Sequence, residues 1–225
     1  MLNKETISTS LKLLVITAVA ALCLALVNKI TAPVIAQNQV LTIESTQREV
    51  LPDADSFKTI DFSNDKIEYA KSAGTYIDAF YSGMSGDTVV GYVVTAVSKQ
   101  GYGGDIKVMV GINSDNTINK VKITETKETA GLGLNASKPK FIDQFTGRDK
   151  LLTVIKNSDP TTSGTDIAAI SSATVTSKAV TSAVNTALEL VRIEVEEVIQ
   201  KNAEDVSALK DEISKETEKQ LKEGE

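Results

Sequence analysis

Residues 88–125 read TVVGYVVTAVSKQGYGGDIKVMVGINSDNTINKVKITE, and this stretch decides the fold. Thr88 to Val97 is rich in β-branched residues and has the length of a strand. Gly101-Tyr102-Gly103-Gly104 is a loop. Asp105 to Ile112 alternates, so Ile106, Val108, Val110 and Ile112 share one face. Asn113 to Asn116 has the composition of a hairpin turn, and Thr117 to Glu125 forms a further strand with Ile118, Val121 and Ile123 as its apolar members. Strands joined this closely form an antiparallel meander. With helical patterns before and after it, the class is α+β, a sheet flanked by helices, and not a doubly wound parallel sheet.

Toward the N-terminus, Ile60 to Tyr81 carries a mixed pattern that assigns no element. Val34 to Val50 reads as helix, with Ile35, Val40, Ile43 and Val50 as a rough stripe. Leu51-Pro52-Asp53-Ala54-Asp55 breaks it. Leu13 to Val27 contains no charge. Thr9 to Ile30 reaches the roughly 20 residues of a membrane span if Lys12 and Lys29 snorkel toward the headgroups. A cleaved signal peptide fits poorly, because Asn28-Lys29-Ile30-Thr31-Ala32-Pro33 offers no good small-x-small site. A soluble core helix is the other alternative. As an anchor, the segment makes the lipid bilayer a partner, with Pro33 at its exit. Lys4 and Lys12 before it, against Lys29 after it, lean toward a cytoplasmic N-terminus and an extracytoplasmic domain.

Toward the C-terminus, Ser177 to Ile199 carries Val180, Ala183, Val184, Ala187, Leu188 and Val191 at helical spacing. Val195, Ile199, Val206, Leu209 and Ile213 continue a thin stripe. From Gln200 to Glu225 the tail holds eight acids against five lysines, the pattern of a solvated helix. The expected organisation is a membrane anchor at 1–35, a folded domain at 36–199 and a charged helical tail at 200–225.

Composition removes whole classes of chemistry. The 225 residues carry a formal charge of −6 with no basic cluster, which argues against a nucleic-acid partner. Without histidine there is no Ser-His-Asp triad, His-ligated haem or His-containing zinc site. The single cysteine, Cys23, excludes an internal disulfide and a cysteine-ligated cluster, and no metal site is expected. Redox chemistry, if any, requires a borrowed organic cofactor.

Two segments exceed what a generic core requires. Glu125-Thr126-Lys127-Glu128-Thr129-Ala130-Gly131-Leu132-Gly133 leaves a strand into a loop whose glycines permit close backbone approach, although most such loops are plain turns. Ser171-Ser172-Ala173-Thr174-Val175-Thr176-Ser177 crowds hydroxyls at the start of the last helix. One hydroxyl would serve as a cap, whereas exposed amides and the helix dipole together favour a phosphate.

Ser171 to Ser177 resembles the Ser-Gly-Ala-Thr-x-Thr/Ser-Ser signature of the FMN-binding domain of bacterial Rnf and Na⁺-translocating NADH:quinone reductase complexes. Glu128-Thr129-Ala130-Gly131-Leu132-Gly133 resembles the family's Glu-Thr-x-Gly-Leu-Gly loop. Gly101-Tyr102-Gly103-Gly104 is similar to its Gly-Tyr-Gly-Gly turn, and Phe141-Ile142-Asp143-Gln144-Phe145 to the segment that follows the loop. Ser172 stands where the family commonly has glycine, and Asp166 is the acid that precedes the signature.

The resemblance implies FMN joined covalently by a flavin transferase, through its phosphate, to Thr174. It implies cofactor contacts from Ser171, Ser172, Ala173, Val175, Thr176, Glu128, Thr129, Gly131, Leu132, Gly133, Tyr102 and Gly103, with no catalytic residue of the chain's own. The implied role is electron relay in the G subunit of the Rnf complex, a membrane-bound, ion-translocating ferredoxin:NAD⁺ oxidoreductase, beside the other membrane subunits. The alternatives are the C subunit of the quinone reductase and a cofactor-free anchored interaction protein.

Overall fold

The computed structural model describes residues 4–62, 67–131, 133–156 and 164–223. The chain divides into two compact units, Met1–Ser45 and Thr46–Glu225. The first is made by helix α1 (Lys4–Val50), whose last turn belongs to the second unit.

Ser8–Pro33, 26 residues of α1, is long and apolar enough to cross a membrane. At about 1.5 Å per residue it exceeds a hydrocarbon core of roughly 30 Å. Two of its hydroxyls are satisfied within the helix, as lipid favours: Thr17 Oγ1 donates to the Leu13 carbonyl at 3.0 Å and Thr31 Oγ1 to that of Val27 at 2.9 Å. Pro33 does not divide the helix as its position suggests; it lies inside α1. Proline removes one ladder bond, and the turns on either side carry the helix through.

The second unit is built on a five-stranded antiparallel sheet in chain order: β1 (Ser56–Thr59), β2 (Thr75–Ser85), β3 (Thr88–Ser98), β4 (Ile106–Asn113) and β5 (Ile118–Thr126). The three strands expected from the sequence are present, each close to its expected limits. The mixed stretch Ile60 to Tyr81 supplies α2 (Glu68–Ala73) and most of β2. A register shift between Ile77 and Ala79 puts Asp78 out of step, and its carboxylate takes Lys107 Nζ at 3.0 Å on β4. That bulge interrupts the period-two pattern by which a strand is read.

Helix α4 (Thr174–Glu223) packs on one face of the sheet. Its Val180, Ala183, Val184, Ala187 and Val191 are buried against Ile106, Val108, Val110 and Ile112 of β4 and Phe80 of β2. Short helical turns between Gly133 and Phe145, including α3 (Pro139–Ile142), contribute Ala136, Phe141 and Phe145 to that core. Two three-residue strands, β6 (Thr153–Ile155) and β7 (Asp166–Ala168), pair in parallel.

A smaller cluster covers the opposite face, formed by Val50, Leu51, Ala54, Val93 and Met109. Here the end of α1 meets glycine instead of side chains. A Cβ on Gly111 of β4 would collide with the Val50 carbonyl, and one on Gly83 of β2 with Leu51. Asn119 Nδ2 donates to the Val50 carbonyl at 2.9 Å, satisfying a helix-terminal oxygen.

Candidate functional site

The sheet places three segments around one cleft of about 430 Å³, lined by Tyr102, Glu128, Thr129, Gly133 and Ser172 through Thr176. Tyr102 comes from the turn between β3 and β4. Glu128, Thr129 and Gly133 come from the loop after β5. The rest form the entry to α4. Nine of the thirteen candidate residues therefore share a single lining.

At the helix start, the first backbone bond of α4 runs from the Ser177 N–H to the Ala173 carbonyl at 3.0 Å. The amides of Thr174, Val175 and Thr176 thus precede any intrahelical acceptor and carry the positive end of the helix dipole. Thr174 is the first helical residue and half-buried, and among the described residues its hydroxyl makes no hydrogen bond. Thr176 is only 2% exposed, whereas Val175 is 51% exposed. Ser172 stands at φ 62°, in the left-handed region. Ser177, to which the motif alone assigns no role, is a structural tie: its Oγ accepts the Ile170 N–H at 3.0 Å and donates to the Ala173 carbonyl at 2.9 Å. The bend that presents Thr174 is held from both sides by this one hydroxyl, and its only sequence signal is its place at the end of the hydroxyl run.

Across the cleft, Glu128 is buried at 7% exposure. Its Oε1 accepts the Tyr102 N–H at 2.8 Å and the Gly103 N–H at 3.4 Å. Gly133 leaves room for that carboxylate, because a Cβ there would collide with Glu128 Oε2. Gly131, at φ 80° with open space about its α-carbon, is glycine for conformation; it does not line the cleft, and its carbonyl accepts Asn135 Nδ2 at 2.8 Å. Ser171 faces a neighbouring cleft with Lys138, Lys140, Phe141 and Gln144. Leu132 lies outside the described residues.

These residues fit a phosphorylated, flat aromatic group. Three helix-terminal amides and the Thr174 hydroxyl would hold the phosphate, while Tyr102, Ala173 and Val175 offer apolar surface. Glu128 is the one carboxylate in the lining, and its two amide donors offset its charge. Among the described residues, no group of histidine, cysteine, aspartate or glutamate is arranged to hold a metal.

A family model described as the FMN-binding domain matches residues 101–189, which contain all three segments. The G subunit of the Na⁺-translocating ferredoxin:NAD⁺ oxidoreductase complex of Acetobacterium woodii is 38% identical over 192 residues, covering 83% of this chain and 92% of the relative. The chain belongs to this G-subunit family. The proton-translocating counterpart from Clostridium ljungdahlii is also 38% identical, over 77% of this chain and 84% of its own. The G subunit of an ion-translocating oxidoreductase complex from Methanosarcina acetivorans is 32% identical over 84% and 96%.

Proposed function

We propose that this protein is the electron-relay G subunit of a membrane-bound, ion-translocating ferredoxin:NAD⁺ oxidoreductase complex. In this reading it carries FMN as a phosphoester on Thr174, attached by a flavin transferase. The chain is organised as an anchor at 1–35, an FMN-binding domain at 36–199 and a charged tail at 200–225. The domain lies on the extracytoplasmic side, beside the other membrane subunits.

The observation that carries the reading is the Thr174 hydroxyl at the head of α4, without a hydrogen-bond partner among the described residues, across one cleft from the Glu128-anchored turn. FMN, when bound, supplies the capacity to exchange electrons singly or in pairs. The protein's own part is placement. The amides of Thr174, Val175 and Thr176 hold the phosphate, and Ser177 fixes the bend that presents the hydroxyl. Ser172, Thr129 and Gly133 border the space beside it. Covalent attachment prevents loss of the cofactor, and the anchor raises the effective concentration of the carrier beside its partners.

The test is co-expression with a flavin transferase, followed by denaturation and mass measurement. An FMN adduct mapping to the Thr174 peptide is expected, absent from Thr174→Val, whose circular dichroism should match the parent. An adduct-free wild-type protein under these conditions, or an adduct on another residue, overturns the assignment.

A further inference from the structure

We infer that Glu128 is a positioning residue that acts through Tyr102: by clamping the Gly101–Gly104 turn, it fixes an aromatic wall against which the flavin ring lies. The inference rests on the flavin reading proposed above. Tyr102 is 76% exposed, and among the described residues no ring contact holds it. An aromatic side chain on a turn of three glycines has nothing in that turn to keep it still. What holds it is its own backbone, through the two amides that converge on Glu128 Oε1. Glu128 is anchored in turn, its N–H donating to Thr126 Oγ1 at 3.2 Å at the end of β5.

Both glycine motifs are shaped around this residue and its neighbour. A Cβ on Gly133 would collide with Glu128 Oε2, and one on Gly103 with the Lys127 carbonyl. Partners 25 and 26 residues apart in the chain thus bring the two motifs to one contact. A carboxylate this deeply buried is unfavourable unless its lone pairs are used. Here those of Oε1 accept the Tyr102 and Gly103 N–H groups and fix the backbone that carries the exposed ring at the cleft rim.

The experiment uses the full-length, detergent-solubilised protein with and without transferase treatment. It reads amide exchange at Tyr102 and Gly103 in the untreated protein and emission of the attached flavin in the treated one. A tyrosine held against a flavin quenches its emission. Glu128→Ala should speed exchange at both amides by about tenfold or more and raise the emission. Glu128→Gln, which keeps an acceptor oxygen, should restore both toward the parent. Tyr102→Leu should raise the emission to the level of Glu128→Ala while leaving Gly103 exchange slow. If Glu128→Ala fails to fold, Gly133→Ala, which displaces the carboxylate, replaces it with the same expected outcome. An adduct with emission unchanged in Glu128→Ala and Tyr102→Leu overturns this inference alone. So does a rise in Glu128→Ala that Tyr102→Leu does not reproduce. A wild-type protein with no adduct overturns the flavin reading and this inference with it.

Discussion

Ser172 adopts φ 62° immediately before the helix that begins at Thr174. A side chain there costs about 1–2 kcal/mol relative to the right-handed regions, and glycine removes that cost. Glycine in turn loses roughly 0.4–1 kcal/mol through the freer unfolded chain. Ser172→Gly should therefore stabilise the protein, by up to about 1 kcal/mol, measurable as a raised denaturation midpoint. A fall in the midpoint would mean that the serine hydroxyl contributes more than the strain removes. The glycine common in the resembling family is thus explained by backbone conformation. The same bend discriminates among hydroxyls that the sequence leaves equivalent. Both threonines line the cleft, but Thr176 is only 2% exposed, while Thr174 is half-buried at the first position of the helix. The run of Ser and Thr from 171 to 177 was legible as a cluster. Which member is presented depends on helix phase and on Ser177, and neither can be read from composition.

At the scale of elements, the end of α1 is held against the sheet by a charged cluster as well as by the glycine contacts. Glu49 accepts from Lys122, and Lys120 Nζ lies 3.1 Å from its other carboxylate oxygen. The Lys122 bond first, then Lys120, holds the Glu49 carboxyl below the usual carboxylate value. The unfolded chain's carboxyl titrates near 4.3. Stability from this group is therefore fully present above that pH and is lost as pH falls through the lower folded value. Glu49→Gln should melt below the parent at neutral pH, with the difference shrinking as pH falls below the unfolded value of about 4.3 and vanishing only below the lowered folded value. Because the partners are partly exposed, the effect should be small and should shrink in high salt. A difference independent of pH would assign the loss to packing. No local pattern signals this joint, since Glu49 and Lys122 are 73 residues apart. The legible elements were the strands with regular alternation. β4 places Ile106, Val108, Val110 and Ile112 on the core side as its pattern demands. β2 escaped because its bulge at Asp78 shifts the phase midway, and β6 and β7, at three residues each, are too short to show a period.

The whole molecule couples an apolar helix to a domain whose cleft suits a flavin, and its function depends on which side of the membrane that domain occupies. Lys4 and Lys12 precede the uncharged run Leu13–Val27 and Lys29 follows it, a slim excess that favours a cytoplasmic N-terminus. If that orientation holds, electrons reach and leave the domain at the outer face through other membrane subunits, because soluble ferredoxin and NADH remain inside. The consequence is directly measurable. Ser114 is exposed in the turn between β4 and β5, and the one native cysteine, Cys23, lies within the apolar stretch Ser8–Pro33. Ser114→Cys is therefore a clean reporter. A membrane-impermeant maleimide should label it in intact cells, with no labelling of the parent protein. Labelling that appears only after lysis would place the domain in the cytoplasm. The cleft would then be open to direct exchange with soluble donors, and an anchored relay would lose its main physical rationale, which is to carry electrons where those donors cannot go.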